Sequence, residues 1–167
     1  MAMTTVEKSI DINVPLHAAY NQWTQFEEFP NFMEGVESVR QLDDSHLHWR
    51  AKVGGNEKEW DAIINEQIPD ERITWHSISG AENAGEVQFH PVDGDKTRVT
   101  LRLGYDPEGF IENIGDKLGF VSRQVDNDLE HFKEFVEERG SATGGWRGEV
   151  HKGEPQSGFG SGGNSTL

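Results

Sequence analysis

Glu66 and Tyr105 are the side chains of this sequence best suited to acid–base chemistry on an apolar substrate. Both are predicted to point inward from a sheet, where a carboxyl group beside a tryptophan loses solvation and its pKa rises. The Tyr105 hydroxyl is able to donate a hydrogen bond to a ligand carbonyl. A structural interpretation stays open for each residue. Glu66 is then half-exposed or paired with an arginine, and the Tyr105 hydroxyl reaches solvent at the sheet edge.

Seven histidines raise the question of a metal site. His48 and His76 are predicted to flank the strand that carries Asp61, and two histidines with a carboxylate are able to bind zinc. The compact His-Glu-x-x-His spacing is absent, however, and the sheet histidines are predicted to point outward. The chain also lacks cysteine, a Gly-x-Ser-x-Gly elbow and a Gly-rich phosphate loop after a strand. We therefore predict neither a metal site nor a cofactor.

The charge of the chain argues against several classes of partner. A formal net charge of −15 and an isoelectric point near 4.7 disfavour binding to nucleic acid or to an anionic membrane, because phosphates require a basic surface. No basic N-terminal run precedes an apolar stretch, and no segment approaches 18 consecutive apolar residues. We expect a cytoplasmic protein without stable membrane insertion, and the absence of cysteine is typical of a reducing compartment.

The N-terminal third alternates between strand and helix signals. Residues 6–14 have the two-residue period of a half-buried strand. Pro15 then suits a helix start, and Leu16, Ala19, Tyr20 and Trp23 form one apolar helical face. Pro30 is incompatible with one continuous helix to Met33, so we predict two short helices after the first strand.

Residues 35–105 read as antiparallel strands separated by turn signals. The Gly54-Gly55 pair is typical of a two-residue hairpin loop, which places Trp49 opposite Trp60 and Arg50 opposite Glu59. Carrying this phase along the sheet makes one face apolar and aromatic and the other face polar.

A long amphipathic helix is predicted to close the folded part. Leu118, Val121, Val125, Leu129, Phe132 and Val136 recur at spacings of three and four residues, and Gly140 is typical of a helix end. Gly115 and Gly119 are expected to interrupt the region before it. We predict one domain over residues 1–139, followed by a flexible Gly/Ser-rich tail over residues 140–167.

The sequence resembles the START-like helix-grip superfamily, also called SRPBCC, and within it the family of polyketide cyclases and dehydrases with lipid transport. The likeness rests on WTQFEEFPNFMEGVESV from Trp23, on EWDAIINEQIPDERITWHSISGAENAGEVQF from Glu59, and on LGYDPEGF with LGFVSRQVDNDLEHFKEF from Leu103 onward. The resemblance implies an α+β fold, in which a curved antiparallel sheet of about seven strands wraps around the long C-terminal helix. It also implies an apolar cavity between sheet and helix.

This resemblance favours binding or transport of a small hydrophobic ligand, such as a lipid, a quinone or a polyketide-like molecule. One alternative is a cyclase or dehydrase that uses Glu66 and Tyr105. Another is a protein-interaction module with a vestigial pocket. The predicted pocket residues are Trp23, Phe29, Phe32, Met33, Trp49, Trp60, Glu66, Trp75, Phe89, Tyr105, Phe110, Ile114, Leu118 and Val121.

Overall fold

A computed structural model describes residues 3–110 and 115–156, apart from the side chain of Phe110. Strand β1 (Thr4–Ile12) leads into helix α1 (Leu16–Trp23) and a 3-10 helix (Phe26–Asn31). Six strands follow, and then the short helix α2 (Pro107–Phe110) and the long helix α3 (Lys117–Arg139). The six strands are β2 (Val36–Gln41), β3 (His46–Val53), β4 (Asn56–Ile68), β5 (Arg72–Gly80), β6 (Asn83–Val92) and β7 (Lys96–Tyr105). No helix of these described ranges combines the length and the apolar content needed to cross a membrane.

The predicted pair of short helices is present, but the break between them falls before Pro30. Helix α1 ends at Trp23, where the Thr24 hydroxyl donates to the Asn21 carbonyl at 2.6 Å. Pro30 lies inside the following 3-10 helix. The chain therefore turns at Thr24 and carries Phe26 and Phe29 into the core, where both are buried.

Seven strands form a continuous antiparallel sheet in the order β1-β7-β6-β5-β4-β3-β2. The predicted hairpin register is confirmed, since Trp49 pairs with Trp60 and Arg50 pairs with Glu59. Gly54 and Gly55 have φ angles of 60° and 86°, the left-handed values that such a two-residue turn requires. The predicted apolar face is buried along β3 to β7, as Ala62, Val87 and Val99 illustrate.

The outer face of the sheet carries paired charges. The His48 ring lies between two carboxylates, with Nδ1 2.7 Å from Asp61 and Nε2 2.9 Å from Glu59. The hydrogen bond with Asp61 raises the pKa of His48. Arg50 donates to the second oxygen of Glu59 at 3.1 Å. Both ring nitrogens of His48 are thereby occupied by cross-strand partners.

A β-bulge in β4 changes the phase of that strand. Ile64 pairs with Trp75, but the next pair joins Glu66 to Thr74, so that Asn65 is an extra residue on β4. Beyond the bulge, Gln67 pairs with Ile73 and is buried on the inner face. Side chains alternate along a strand, so one extra residue turns Glu66 to the outer face.

Helix α3 covers the apolar face of the sheet. The predicted stripe from Val121 to Val136 is buried, whereas Leu118 is 52% exposed. Lys133 donates to the Asp11 carbonyl at 3.1 Å, and Glu137 accepts from the Asn13 amide at 2.7 Å, which joins the helix to β1. Gly119 does not interrupt the helix. It lies in the first turn, where its amide donates to the capping Asp116 carboxylate at 3.0 Å, and a Cβ there would collide with that carboxylate.

The segment after Gly140 corrects the prediction of a flexible tail as far as residue 156. Strands β8 (Glu149–His151) and β9 (Glu154–Gln156) form a hairpin, and β8 pairs with Glu66 and Gln67 of β4. Strand β3 covers β4 only as far as Ile63, so the rest of that edge of β4 is left for β8 to pair with. Val150 is fully buried there. Residues 157–167, the remainder of the predicted tail, lie outside the described residues.

Arg147 fastens this C-terminal hairpin to the rest of the domain. Its guanidinium donates two hydrogen bonds to Asp70, at 2.9 and 2.7 Å, and one to Asn21 at 2.8 Å. It also lies 5.3 Å from the centre of the Tyr20 ring. Asp70 has a φ of 64° in the turn between β4 and β5, so Arg147 holds an otherwise unfavourable turn conformation.

We predict that Arg147→Lys destabilises the protein by about 1 kcal/mol, because an ammonium group cannot make the paired hydrogen bonds of the guanidinium. Hydrogen exchange should accelerate at the Gly153 amide, which donates to Asn65 at 2.9 Å. The control is Arg123→Lys on the exposed side of α3. Equal exchange at Gly153 in both variants would contradict this role of Arg147.

Candidate functional site

A cavity of about 160 Å³ lies between the inner face of the sheet and α3. Its sheet wall is mainly apolar, and an engineered cavity of similar size in another protein admits benzene. The segment that connects α1 to β2 forms a second wall, and the first half of α3 forms the third. The lining side chains include Trp23, Phe26, Phe29, Met33, Trp49, Trp60, Ile64, Ile73, Trp75, Leu101, Leu103, Phe120, Val121 and Val125.

Aromatic rings give the cavity its shape. Trp49 and Trp60, paired across β3 and β4, stack with ring centres 5.9 Å apart and planes 9° apart. Phe29 meets Trp49 edge to face at 5.6 Å and Trp23 at 5.4 Å. Rings held by several neighbours in this way keep a cavity open, because they cannot rotate freely to fill it.

Trp75 reaches the cavity across a glycine. Gly85 of β6 pairs with Trp75 of β5, and a Cβ at Gly85 would collide with the Trp75 ring. The ring therefore lies directly over the backbone of β6. A glycine at this position lets a large side chain lie flat against the sheet.

Asp128 is the ionisable group of the helix wall. It lies half-buried among the lining residues, one turn after Gln124, whose Nε2 donates to Asp128 Oδ1 at 3.0 Å. Burial raises the pKa of Asp128 to about 7, and the nearby Glu34 carboxylate acts in the same direction. Hydrogen bonding from Gln124 and the charge of His131 oppose that rise. Asp128 is thus able to exchange a proton near neutral pH.

Asp128 is not among the predicted pocket residues, although the structure places it in the lining. Asp128 follows Val121 by seven positions, Gln124 by four and Val125 by three, so it lies beside the buried stripe. That spacing is the signal that could have identified it. Aspartate is usually exposed to solvent, so the residue type gave no indication that Asp128 would line a cavity.

Seven of the predicted pocket residues line the cavity, namely Trp23, Phe29, Met33, Trp49, Trp60, Trp75 and Val121. Ile114 lies outside the described residues, as does the side chain of Phe110. Five others do not line it, namely Glu66, Tyr105, Phe32, Phe89 and Leu118. Phe32 packs on Phe132 and Phe135 at 5.3 and 5.2 Å, Phe89 packs on Tyr20 and Trp23 at 5.4 and 6.2 Å, and Leu118 is exposed.

The predicted acid–base pair is not assembled in this structure. The bulge at Asn65 turns Glu66 away from the cavity, and its Oε1 accepts from Arg72 Nε at 3.0 Å. Tyr105 is fully buried at the end of β7, three strands from β4, and does not line the cavity. Burial raises the pKa of Tyr105. Glu66 instead has the ion-paired, half-exposed environment that was the structural alternative.

The histidines do not gather into a metal centre. Within residues 3–110 and 115–156, no three histidine, aspartate or glutamate side chains are arranged to hold a metal ion. His46 contacts Asp43 at 2.9 Å, and His151 contacts Glu149 at 2.8 Å, both on the surface.

Comparisons with known proteins agree with this architecture. The family model described as "Polyketide cyclase / dehydrase and lipid transport" matches residues 12–134. An uncharacterized 17.2 kDa protein of Streptomyces lincolnensis is 56% identical over 149 residues, which cover 89% of this chain and 99% of that protein.

Solved structures share the fold at low sequence identity, for example an aromatase/cyclase and a START superfamily protein. The Zhui aromatase/cyclase of a Streptomyces species has a TM-score of 0.70 at 16% identity and covers 87% of this chain and 100% of its own. A START superfamily protein of Mycobacterium smegmatis has a TM-score of 0.64 at 15% identity, with coverages of 83% and 97%. The fold is therefore the START-like helix grip.

We predict that Asp128→Asn stabilises the protein at pH 8 and leaves it nearly unchanged at pH 4. The folded-state pKa of Asp128 is raised to about 7 from 3.8, so wild-type stability falls as pH rises between these values. The asparagine does not titrate. At pH 8 the free energy of unfolding of the variant should exceed that of the wild-type protein by on the order of 2 to 4 kcal/mol. Urea unfolding across this pH range measures it.

The matched control is Asp126→Asn, two residues earlier on the same helix, where the carboxylate is exposed and pairs with Lys8 at 3.2 Å. Asp126→Asn should not become more stable than the wild-type protein at high pH alone. A gain of the same size in both variants would mean that Asp128 is not specifically desolvated.

Proposed function

Because the chain belongs to the polyketide cyclase/dehydrase and lipid transport family, we propose that it binds a small, largely apolar ring compound in the cavity between the sheet and α3. The observation that carries this proposal is an apolar cavity of about 160 Å³ whose aromatic walls are braced by one another. An empty space of this size loses dispersion contacts and destabilises the fold, and a ligand restores them.

The dimensions and the charge of the cavity narrow the class of ligand. Its volume suits one ring or two fused rings, whereas a long acyl chain needs more room. Asp128 lines the cavity and Glu34 lies nearby, so a carboxylate or phosphate ligand meets negative charge at neutral pH. A neutral ring compound fits both constraints.

We predict that tetralin, a neutral bicyclic hydrocarbon, binds the wild-type protein and raises its melting temperature in proportion to ln(1 + [L]/Kd). Gly85→Ala should weaken this binding roughly tenfold, because the new methyl group pushes the Trp75 ring toward the cavity. Calorimetric titration measures both affinities.

Gly104→Ala is the matched control, since a Cβ at Gly104 meets its nearest neighbour at an ordinary 3.7 Å. This variant should bind tetralin as the wild-type protein does. Absence of tetralin binding to the wild-type protein, together with absence of any co-purifying apolar molecule in native mass spectrometry, would contradict the proposal.

A cyclase-type activity is a second candidate, and Asp128 is the observation that favours it. A carboxyl group with a pKa of about 7 in an apolar cavity suits proton transfer to or from a carbonyl substrate. The Zhui protein, which shares the fold, carries the name aromatase/cyclase. Asp128 takes the place that sequence reasoning gave to Glu66 and Tyr105.

This second candidate predicts that the protein accelerates ring closure of a poly-β-ketone thioester, with a rate that follows one ionisation near pH 7. Asp128→Asn should lower the rate by at least a hundredfold while tetralin still binds. Equal rates with and without the wild-type protein would contradict the cyclase candidate. Ligand binding would then remain as the proposed function.

A further inference from the structure

The cavity has four lining residues with charged or amide side chains, and α3 carries two of them. Two of the four are used elsewhere: Asn83 donates from its side chain to the Ala81 carbonyl at 3.0 Å, and Lys52 has an exposed side chain at the end of β3. The other two, Gln124 and Asp128, lie one helical turn apart and are hydrogen-bonded to each other at 3.0 Å. This pair is able to contact a polar atom of a ligand, and so is the buried Trp49 indole N–H, which has no hydrogen-bond partner among the described residues. Of these groups, Asp128 is the one that can change its charge.

Gln124 fixes the orientation of the Asp128 carboxyl group. Its Nε2 donates to Oδ1, and among the described residues no hydrogen bond to Oδ2 is present. Oδ2 is therefore the atom left for a ligand. Asp128 is half-buried as a residue, and a hydrogen bond that a ligand makes to its unpartnered carboxyl oxygen would stabilise the complex.

We propose that Asp128, held by Gln124, recognises an oxygen atom on a neutral ring compound, and that its proton decides between two kinds of ligand. In the protonated form Oδ2–H donates to a ketone or quinone carbonyl. In the ionised form Oδ2 accepts from a ligand hydroxyl and repels a carbonyl oxygen. This inference rests on the proposed function, since it concerns the same cavity.

The groups that face Asp128 allow this exchange near neutral pH. Glu34, from the segment between the 3-10 helix and β2, favours the protonated form, and His131 on α3 favours the ionised form when it carries a proton. Lys52 is the cation among the lining residues. Burial is the dominant cause, and it raises the pKa of Asp128 to about 7. Both forms of the carboxyl group are therefore populated at neutral pH.

Three compounds with one bicyclic skeleton test the proposal: tetralin, 1-tetralone and 1-tetralol. Tetralin measures the apolar contribution, the ketone accepts hydrogen bonds only, and the alcohol both donates and accepts. Calorimetric titration of the full chain at pH 5.5 and pH 8.5 gives the affinity of each ketone or alcohol relative to tetralin. This ratio cancels pH effects on the cavity as a whole.

We expect the tetralone-to-tetralin affinity ratio to fall about tenfold between pH 5.5 and pH 8.5, since a hydrogen bond is replaced by repulsion between oxygens. The tetralol-to-tetralin ratio should stay equal or rise. Asp128→Asn carries an amide that donates and accepts at every pH, so its ratios should not change with pH. Asp126→Asn, the exposed control on the same helix, should behave as wild type.

The outcomes separate this inference from the function on which it rests. If tetralin binds and the tetralone ratio is the same at both pH values in the wild-type protein, the role of Asp128 is wrong and the binding function stands. If tetralin does not bind at all, the proposed function fails first. A pH dependence that persists in Asp128→Asn would assign the effect to another group, such as His131, and would overturn the inference.

Discussion

The apolar face of the antiparallel sheet has to be covered, and α3 with the segment from α1 to β2 covers it. Burial of this face supplies most of the stabilisation available to a chain of 167 residues, because hydrophobic stabilisation grows with the apolar area removed from water. Helix α3 packs its stripe from Leu129 to Val136 closely, with Phe132 5.0 Å from Trp23. Toward its N-terminal half the helix and the sheet leave a cavity between them. The same burial that folds the protein therefore also creates its binding space.

Most of the large rings in the walls of that cavity contact one another, which restricts their movement. Phe29 connects Trp23, Phe32 and Trp49, and Trp49 stacks on Trp60. Such a layer keeps its shape when it encloses an unfilled space, and it presents flat apolar surfaces to a ring compound. Asp128 adds a titratable group to this apolar setting. Its ionised form costs stability in the folded state, which is typical of groups retained for function.

The C-terminal hairpin contributes to the same architecture from outside. Strand β8 pairs with the part of β4 that β3 leaves uncovered, directly at the bulge that turns Glu66 outward. Arg147 then joins this hairpin to Asp70 and to Asn21 of α1. The bulge, the turn at Asp70 and the hairpin are thus stabilised together. Separate loss of any one of them would leave backbone groups of β4 without partners.

The sequence by itself determined the elements whose signals are local and periodic. The two-residue period of β1, the Gly54-Gly55 turn with its register, and the stripe of α3 each follow from neighbouring residues. The first two were confirmed, and the stripe was confirmed from Val121 onward. Seven of the fourteen predicted pocket residues line the cavity. Three of them, Trp49, Trp60 and Trp75, do so because the predicted inward phase of β3 to β5 was correct up to Ile64.

Only the tertiary structure decided the features that depend on contacts between distant segments. One extra residue at Asn65 places Glu66 on the outer face. A β-bulge has no periodic sequence signal from which it could have been predicted. Helical spacing places Asp128 beside the buried stripe, but only the packing of the sheet and the helix leaves a cavity next to it. The segment of residues 143–156 is ordered because β4 has an uncovered edge. A Gly-rich segment buries little apolar area of its own. Contacts with β4 therefore have to offset the conformational entropy that the segment loses when it becomes ordered.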